Sequence, residues 1–160
     1  MVEALVPWIV AFPGLGALIN GLFGRWTGRR AHWVALAATG LSLLFALIVL
    51  NRTVLGGETI QVRLFEWVVA AGFRAEIAFL VDPLSSIMLF VVTGVGFLIH
   101  VYSAGYMHDD PGFSRFFTYL NLFMFAMLLL ILGNNYLLMF VGWEGVGLCS
   151  YLLIGFWYHK

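Results

Sequence analysis

Charged side chains are scarce in this 160-residue sequence, in which aspartate, glutamate, lysine and arginine together make up 10%. A soluble domain of ordinary composition carries about 25% charged residues. Hydrophobic residues make up 62% of the chain and aromatic residues 17%. Because so few polar residues cannot cover a water-soluble globule, the composition predicts a chain that lies in a lipid bilayer.

Cysteines and basic clusters are also rare. The single cysteine, Cys149, lies in an apolar run, cannot form an internal disulfide and is interpreted as a packing residue. The formal net charge is zero and no basic run occurs, which argues against nucleic acid as a partner. The first apolar run lacks a basic region before it, so it is not interpreted as a cleavable secretory signal.

Motifs of soluble enzymes are missing. The sequence has no phosphate-binding glycine loop, no nucleophile elbow and no histidine or cysteine cluster with metal-ligand spacing. The four histidines are scattered along the chain, at His32, His100, His108 and His159. A free-standing enzyme is therefore the least favoured class of function, and no metal or cofactor is expected in this chain.

Five apolar segments are long enough to suggest membrane helices, which need about 20 residues to cross the hydrocarbon core. They cover residues 2–23, 32–50, 83–104, 116–132 and 136–158. Asp82 followed by Pro83 predicts the start of the third helix, as an N-cap and a first-turn proline. The break at 133–135 is so short that the fourth and fifth helices must be antiparallel neighbours.

Residues 56–81 show a different pattern, in which apolar and polar residues alternate. The stretches IQVRL, from Ile60, and FRAEIAF, from Phe73, have the period of two that is typical of strands. Ala70-Ala71-Gly72 can supply the turn between them. The predicted fold is thus an all-α membrane protein of about five transmembrane helices, with a β-hairpin at one membrane surface between helices two and three.

Loop charges predict the orientation of this bundle. Five crossings place one set of basic residues on one side: Arg25, Arg29, Arg30, Arg115 and Lys160. The other side receives Arg52, Arg63 and Arg74. Because basic residues near early helices favour the cytoplasmic side, we expect the N-terminus and the hairpin outside.

Two ionisable side chains within apolar segments are the candidate functional residues. Glu144 lies about two turns into the fifth segment, where a charged group at the centre of a membrane helix costs about 2.5–3.5 kcal/mol. Gly142, Gly145 and Gly147 surround it and predict a polar site that faces a tightly packed neighbouring helix. The alternative is a glutamate satisfied by a single interhelical hydrogen bond. His100 suits the C-terminus of the third helix as a cation, but a proton-relay role stays open because histidine titrates near neutral pH.

The second half of the chain, from Val81 to Tyr158, resembles the large antiporter-like membrane subunits of respiratory complex I. The resemblance rests on the long motifs VTGVGFLIHVYSAGYM and GWEGVGLCSYLLIGFWY, supported by GYMHDDPGFSRFF. The first eighty residues match more loosely. Subunits of multisubunit sodium/proton antiporters share much of this pattern.

The resemblance implies a specific function. In this family the glutamate of the GWEG motif, here Glu144, is a buried part of the proton path and pairs with a lysine on a later helix. Family members carry no redox cofactor, so NADH, FMN, iron–sulfur clusters and quinone belong to other subunits. The expected partners are other membrane subunits of complex I, especially neighbouring antiporter-like subunits, in the lipid of a bacterial inner membrane. Family members have more than ten helices, so we expect this chain to be the N-terminal part of a longer protein.

Two other functions remain open. The chain could belong to a multisubunit sodium/proton antiporter, in which ion exchange does not depend on NADH or quinone. It could also be a structural membrane anchor in which Glu144 only packs.

The orientation can be tested by placing single cysteines at Arg29 and Gly72. We expect a membrane-impermeant thiol reagent added from outside to modify the cysteine at position 72 and not the one at position 29. Modification from outside at position 29, with none at position 72, would reverse the predicted topology.

Overall fold

The computed structural model describes residues 2–70 and 72–158. These residues form five α-helices, which are α1 (Val6–Thr27), α2 (Ala31–Leu50), α3 (Pro83–Tyr106), α4 (Phe113–Leu132) and α5 (Tyr136–Ile154). Two antiparallel strands, β1 (Ile60–Ala70) and β2 (Phe73–Val81), lie between α2 and α3. The predicted fold class, a helical bundle with a hairpin between helices two and three, is confirmed.

The helices have the length and composition of membrane spans. Four helical stretches in the described part of the chain qualify, namely Glu3–Leu55, Pro83–Tyr106, Phe113–Leu132 and Tyr136–Trp157. The first stretch has 53 residues and contains both α1 and α2. These two helices fold back on each other, since Ser42 Oγ donates to the carbonyl of Ile9 (2.7 Å) and Asn20 Nδ2 donates to that of Ala31 (3.0 Å).

Gly28 makes the reversal between α1 and α2 possible. Its φ of +48° lies in the left-handed region, which side chains disfavour. Helix α1 therefore continues past the predicted apolar segment to Thr27 and ends where glycine permits the turn.

Helix α4 lies at the centre of the bundle, because all four other helices pack against it. Its buried residues occur all around the helix rather than on one face: Phe113, Phe117, Leu120, Asn121, Met124, Ala126, Leu128 and Leu132. A helix that is apolar on every side is one that other helices, or lipid, surround.

The hairpin is attached to the connection between α4 and α5. The backbone N–H of Asn134 donates to the carbonyl of Ala78 (3.0 Å), and Asn135 Nδ2 donates to that of Glu76 (2.8 Å). Ile60, Phe79 and Val81 join the main apolar core at this end. The half of the hairpin nearest the helices is thus supported by them through hydrogen bonds and apolar contacts.

The outer half of the hairpin departs from the simple alternation that the sequence predicted. The pairing register shifts between Arg63 and Phe65 and again between Glu66 and Val68. Leu64, which the alternation placed on the apolar face, is exposed at the first shift, where it is the extra residue without a partner in β2.

Charged residues of the hairpin are paired across the strands. Arg63 Nε lies 2.6 Å from Glu76 Oε2, and Arg74 Nη1 lies 3.3 Å from Glu66 Oε1. The Arg74–Glu66 pair is exposed on both sides, and pairs of this kind contribute about 0–1 kcal/mol. They cancel charge more than they stabilise the fold.

The helix order separates the arginines as the sequence predicted. Arg29 contacts His108 and Asp109, which places the α1–α2 and α3–α4 connections at one end of the bundle. Thr53 and Ser86 share a 2.6 Å hydrogen bond at the opposite end, beside the hairpin. Lys160, also assigned to the Arg29 side, lies outside the described residues.

The predicted start of α3 is confirmed as a reciprocal cap. Asp82 Oδ1 accepts from the backbone N–H of Ser85 (2.7 Å), and Ser85 Oγ accepts from the backbone N–H of Asp82 (2.8 Å). Hydrogen bonds from the Ser85 backbone, and then from its hydroxyl, hold the pKa of Asp82 below its usual range.

The cap predicts how the first turn of α3 responds to mutation and pH. Loss of an N-cap costs about 1 kcal/mol, so Asp82→Ala should increase amide exchange of Ser85 about fivefold, as measured by hydrogen exchange and mass spectrometry. Because the folded pKa of Asp82 is lowered, its stabilisation is present above the unfolded value of about 3.9 and disappears as the pH falls through the folded value. Asp82→Asn, which keeps an acceptor, should protect Ser85 nearly as well at neutral pH and lose little protection in acid. Equal protection in wild type and Asp82→Ala would contradict this account.

Candidate functional site

Helix α5 has one face directed at α4, and glycines allow it to come close. A β-carbon at Gly142 would lie 2.5 Å from the Leu130 backbone nitrogen, and one at Gly145 would lie 2.8 Å from the β-carbon of Ala126. The helix begins at a side-chain cap, since Asn135 Oδ1 accepts from the backbone N–H of Leu138 (3.0 Å). The predicted close helix contact is therefore present, and its partner is α4.

Glu144 lies on a different face of α5 from these glycines. At 100° per residue, its side chain points about 160° away from the direction that a β-carbon at Gly142 would take. It is exposed, in line with the exposed Phe140, Leu148 and Tyr151. The sequence predicted a buried acid that faces the tightly packed neighbour; within this chain the acid is exposed, because the glycines and Glu144 occupy different sides of the helix.

No ion pair among the described residues includes Glu144. The four pairs observed there lie in the hairpin or at the end of the bundle that holds Arg29. The lysine that the family resemblance assigns to Glu144 belongs to a later helix, and Lys160 lies outside the described residues. The pairing stays a prediction.

His100, the second candidate, is fully buried at 0% exposure. Its Nδ1–H donates to the carbonyl of Gly96, one turn earlier in α3 (2.7 Å). Because a carbonyl only accepts, this bond places the proton of the neutral ring on Nδ1. Nε2 is left as an acceptor inside the bundle, where it has no hydrogen-bond partner among the described residues.

Two buried asparagines that the sequence analysis missed accompany His100. Asn121 of α4 lies beside the ring of His100, and neither of its side-chain polar atoms has a partner within the described part of the chain. Asn20 of α1 is 1% exposed and donates to Ala31, while its Oδ1 is unpartnered among the same residues. The signal was available, since each asparagine is a strongly polar residue inside an apolar run.

His100 and Glu144 belong to different sites. Helix α3 meets α4 near Asn121 and Met124, whereas α5 meets it at Ala126 and Leu130. With 3.6 residues per turn these two pairs occupy nearly opposite sides of α4. No group of three histidine, cysteine, aspartate or glutamate residues within 2–70 and 72–158 is close enough to hold a metal ion.

Two family models match the chain. The model for the N-terminus of chain 5 of NADH-ubiquinone oxidoreductase (complex I) matches residues 67–117. The model for the transmembrane region of NADH:quinone oxidoreductase and the Mrp antiporter matches residues 133–160. The resemblance noted in the sequence motifs is thus confirmed.

Curated relatives match nearly the whole chain. It is 45% identical to NADH-quinone oxidoreductase subunit L of Rickettsia bellii over all of this chain and 25% of the relative. It is 47% identical to subunit L of Mycobacterium tuberculosis over 95% of this chain and 24% of that protein. It is 42% identical to NADH-ubiquinone oxidoreductase chain 5 of Phytophthora infestans, over 95% of this chain and 23% of that protein. The chain spans about a quarter of the length of these relatives.

The contact between α4 and α5 predicts that alanine substitution destabilises the protein at one glycine of α5 and not at another. Gly142→Ala should force the helices apart and cost about 1–3 kcal/mol, because the new methyl group meets the Leu130 backbone. Gly147→Ala is the matched control, since no atom of the described residues lies within 4 Å of its β-carbon. We expect thermal inactivation of the membrane-embedded protein to occur at a lower temperature for Gly142→Ala only. Equal shifts for both variants would show that the two glycines do not face different surroundings.

Proposed function

Because the chain belongs to the family that includes subunit L of NADH-quinone oxidoreductase, we propose that it is the N-terminal part of a proton-translocating membrane subunit of that complex. Glu144 is the residue of this part that we assign to the proton path. One observation carries the assignment: an ionisable acid stands on an otherwise apolar, exposed stripe of a helix that is long enough to span a bilayer.

Lipid alone is a poor environment for this acid. A carboxylate near the bilayer centre costs about 2.5–3.5 kcal/mol on insertion scales, and ionisable residues in membrane helices face protein or water rather than lipid. Within this chain α4 covers only the glycine face of α5, and the stripe that carries Glu144 is open. The relatives are about four times longer than the chain, so we assign the cover of this stripe to helices that follow in the sequence.

A lysine on such a helix would make the charge of Glu144 switchable. Two unit charges ~4 Å apart at an effective dielectric constant of about 20 interact by roughly 4 kcal/mol. That energy corresponds to roughly a thousandfold change in an equilibrium constant. If the lysine approaches, Glu144 is favoured as a carboxylate; if it withdraws, the apolar surroundings favour the protonated acid. Movement of one cation thereby binds and releases one proton.

The assembly follows from the same assignment. We place the chain in a bacterial inner membrane with its N-terminus and hairpin outside, next to other antiporter-like subunits of the complex. NADH, FMN, iron–sulfur clusters and quinone are assigned to other subunits, which drive this one. The separation of the arginines between the two ends of the bundle supports this orientation.

A sodium/proton antiporter subunit is the second candidate, because the family model that matches 133–160 covers the Mrp antiporter as well. Glu144 could serve either function, so the driving force separates them. Proton movement that needs NADH and quinone favours complex I, and exchange that persists without them favours the antiporter.

Substitution of Glu144 tests the proposed function in the assembled complex. Glu144→Gln keeps the shape and the hydrogen-bonding capacity but cannot ionise, so NADH-driven proton translocation should fall severalfold or more. Glu144→Asp keeps a carboxylate on a side chain that is shorter by one methylene group. It should retain more activity than Glu144→Gln. Proton translocation is measured in membrane vesicles, with subunit content checked by blotting.

Glu58→Gln provides the control, because it makes the same chemical change at an exposed position beside the hairpin. It should leave translocation unchanged. Wild-type translocation in a fully assembled Glu144→Gln complex would show that Glu144 has only a packing role. It would then favour the structural-anchor alternative.

A further inference from the structure

We propose that His100, Asn121 and Asn20 form a second proton-binding site, which water reaches from a cleft between α1 and α4. This inference rests on the proposed function, since it gives a proton-translocating subunit a site apart from Glu144. The observations that carry it are a line of three buried polar side chains with unpartnered atoms and a polar cleft that ends at one of them.

The three side chains come from three helices. His100 of α3 and Asn121 of α4 are 0% exposed, and Asn20 of α1 is 1% exposed. Four of their atoms have no partner among the described residues: His100 Nε2, Asn121 Nδ2, Asn121 Oδ1 and Asn20 Oδ1. Buried polar atoms are nearly always paired, and buried water is the usual partner where the protein supplies none.

Gly16 shows how the line continues from α4 to α1. A β-carbon at Gly16 would lie 2.9 Å from Asn121 Nδ2, so the carboxamide of Asn121 reaches the surface of α1. Asn20 follows Gly16 by four residues, which is one turn and a rise of about 6 Å. Two hydrogen bonds through one water span about that distance. We assign a buried water to the space between Asn121 and Asn20, because both side chains carry atoms without a partner among the described residues.

Beyond Asn20 the line meets a polar cleft of about 670 Å³ between α1 and the start of α4. Arg25, Ser114, Arg115 and Thr118 are among its lining residues, and Asn20 lies at its buried wall. Ser114 Oγ also donates to the carbonyl of Asn20 (3.4 Å). Asn20 is thus the only one of the three side chains that lies between water in the cleft and the Asn121–His100 pair.

The chemistry of the three groups suits a reversible proton step. In the neutral state Nδ1–H is held by Gly96, and the Nε2 lone pair can accept a hydrogen bond from Asn121 Nδ2. When a proton from water in the cleft binds Nε2, that nitrogen becomes a donor, and the amide can turn to accept through Oδ1. Release returns the proton to water along the same atoms. A carboxamide suits this role because it offers both a donor and an acceptor without changing its own charge.

Other ionisable groups lie around the site. Among the described residues, His32 faces it from α2 across Phe117, whose ring centroid lies 6.4 Å from that of His32 and 6.3 Å from that of His100. Arg25 of α1 and Arg115 of α4 line the cleft and are exposed. The ring of Phe117 blocks direct contact between the two histidines, so we assign proton entry to the cleft and not to His32.

Hydration of the line is tested in the full complex by introducing a cysteine at position 121 in a Cys149→Ser background and following modification of the peptide that contains that position. Methyl methanethiosulfonate is small and neutral, and it reacts with the thiolate, which forms only where the thiol can lose its proton to water. Asn121→Cys should react at least tenfold faster than Leu128→Cys, which occupies an equally buried, apolar position of the same helix. Mass spectrometry of the subunit measures both rates. Equal rates would overturn the hydrated line.

The proton-binding role is tested by the pH profile of NADH-driven translocation. His100→Gln should lower the rate severalfold and weaken its dependence on pH, because glutamine cannot bind the proton. Asn121→Leu keeps the histidine but removes the carboxamide that links it to the cleft. It should therefore weaken the pH dependence of translocation as well. Thr93→Val is the control: it removes another fully buried polar group of α3, one that donates to its own helix at Leu89 (2.8 Å).

The outcomes separate this site from Glu144. Wild-type rate and pH profile in both His100→Gln and Asn121→Leu would overturn proton binding at His100, whatever Glu144→Gln does. The labelling comparison needs no translocation, so it decides hydration even if Glu144 fails its own test or the His100 variant does not assemble.

Discussion

The packing of four helices against α4 is the constraint on which the rest of the structure depends. A central helix must be approached closely from every side, and its neighbours achieve this with small residues: a β-carbon at Gly14 of α1 would lie 2.9 Å from the ring of Phe125, and one at Gly145 of α5 would lie 2.8 Å from Ala126. Between helices in lipid, dispersion contacts of this kind replace the hydrophobic effect as the source of association. The same contacts fix which face of each neighbour is turned away from the centre, and so they decide that Glu144 is directed outward.

Much of the fold could be predicted from local patterns, because those patterns are set by local physics. The Asp82-Pro83 cap, the two alternating strands and the short break before Tyr136 depend on residues within a few positions of one another, and the structure contains all three. Which face of α5 meets α4 depends on tertiary packing, and here the inference from the glycines to Glu144 failed. Asn121 could have been singled out as a strongly polar residue in an apolar run, but its position beside His100 depends on tertiary packing that the sequence pattern does not show.

The two candidate polar sites differ in how the protein accommodates them. The helices described here already enclose His100, and its Nδ1–H is satisfied within its own helix. Glu144 stands on a surface that these helices leave open. The His100 site therefore depends on contacts that these helices make among themselves. The Glu144 site depends, in the proposed arrangement, on contacts with later helices. Helix α4 lies between the helices that carry His100 and Glu144, so it keeps the two ionisable groups apart and at fixed positions.

The paired charges of the hairpin have a consequence for biogenesis. In the proposed orientation the whole segment 51–82 must pass through the membrane while the protein is being inserted. It contains three arginines and four carboxylates. Moving one positive charge outward against a potential of 100 mV costs about 2.3 kcal/mol, so three uncompensated arginines would oppose export by roughly 7 kcal/mol. The carboxylates cancel this electrical work. Glu66 and Glu76, which pair with arginines at the surface of the folded hairpin, thus ease the translocation of Arg63 and Arg74 before any of these pairs has formed.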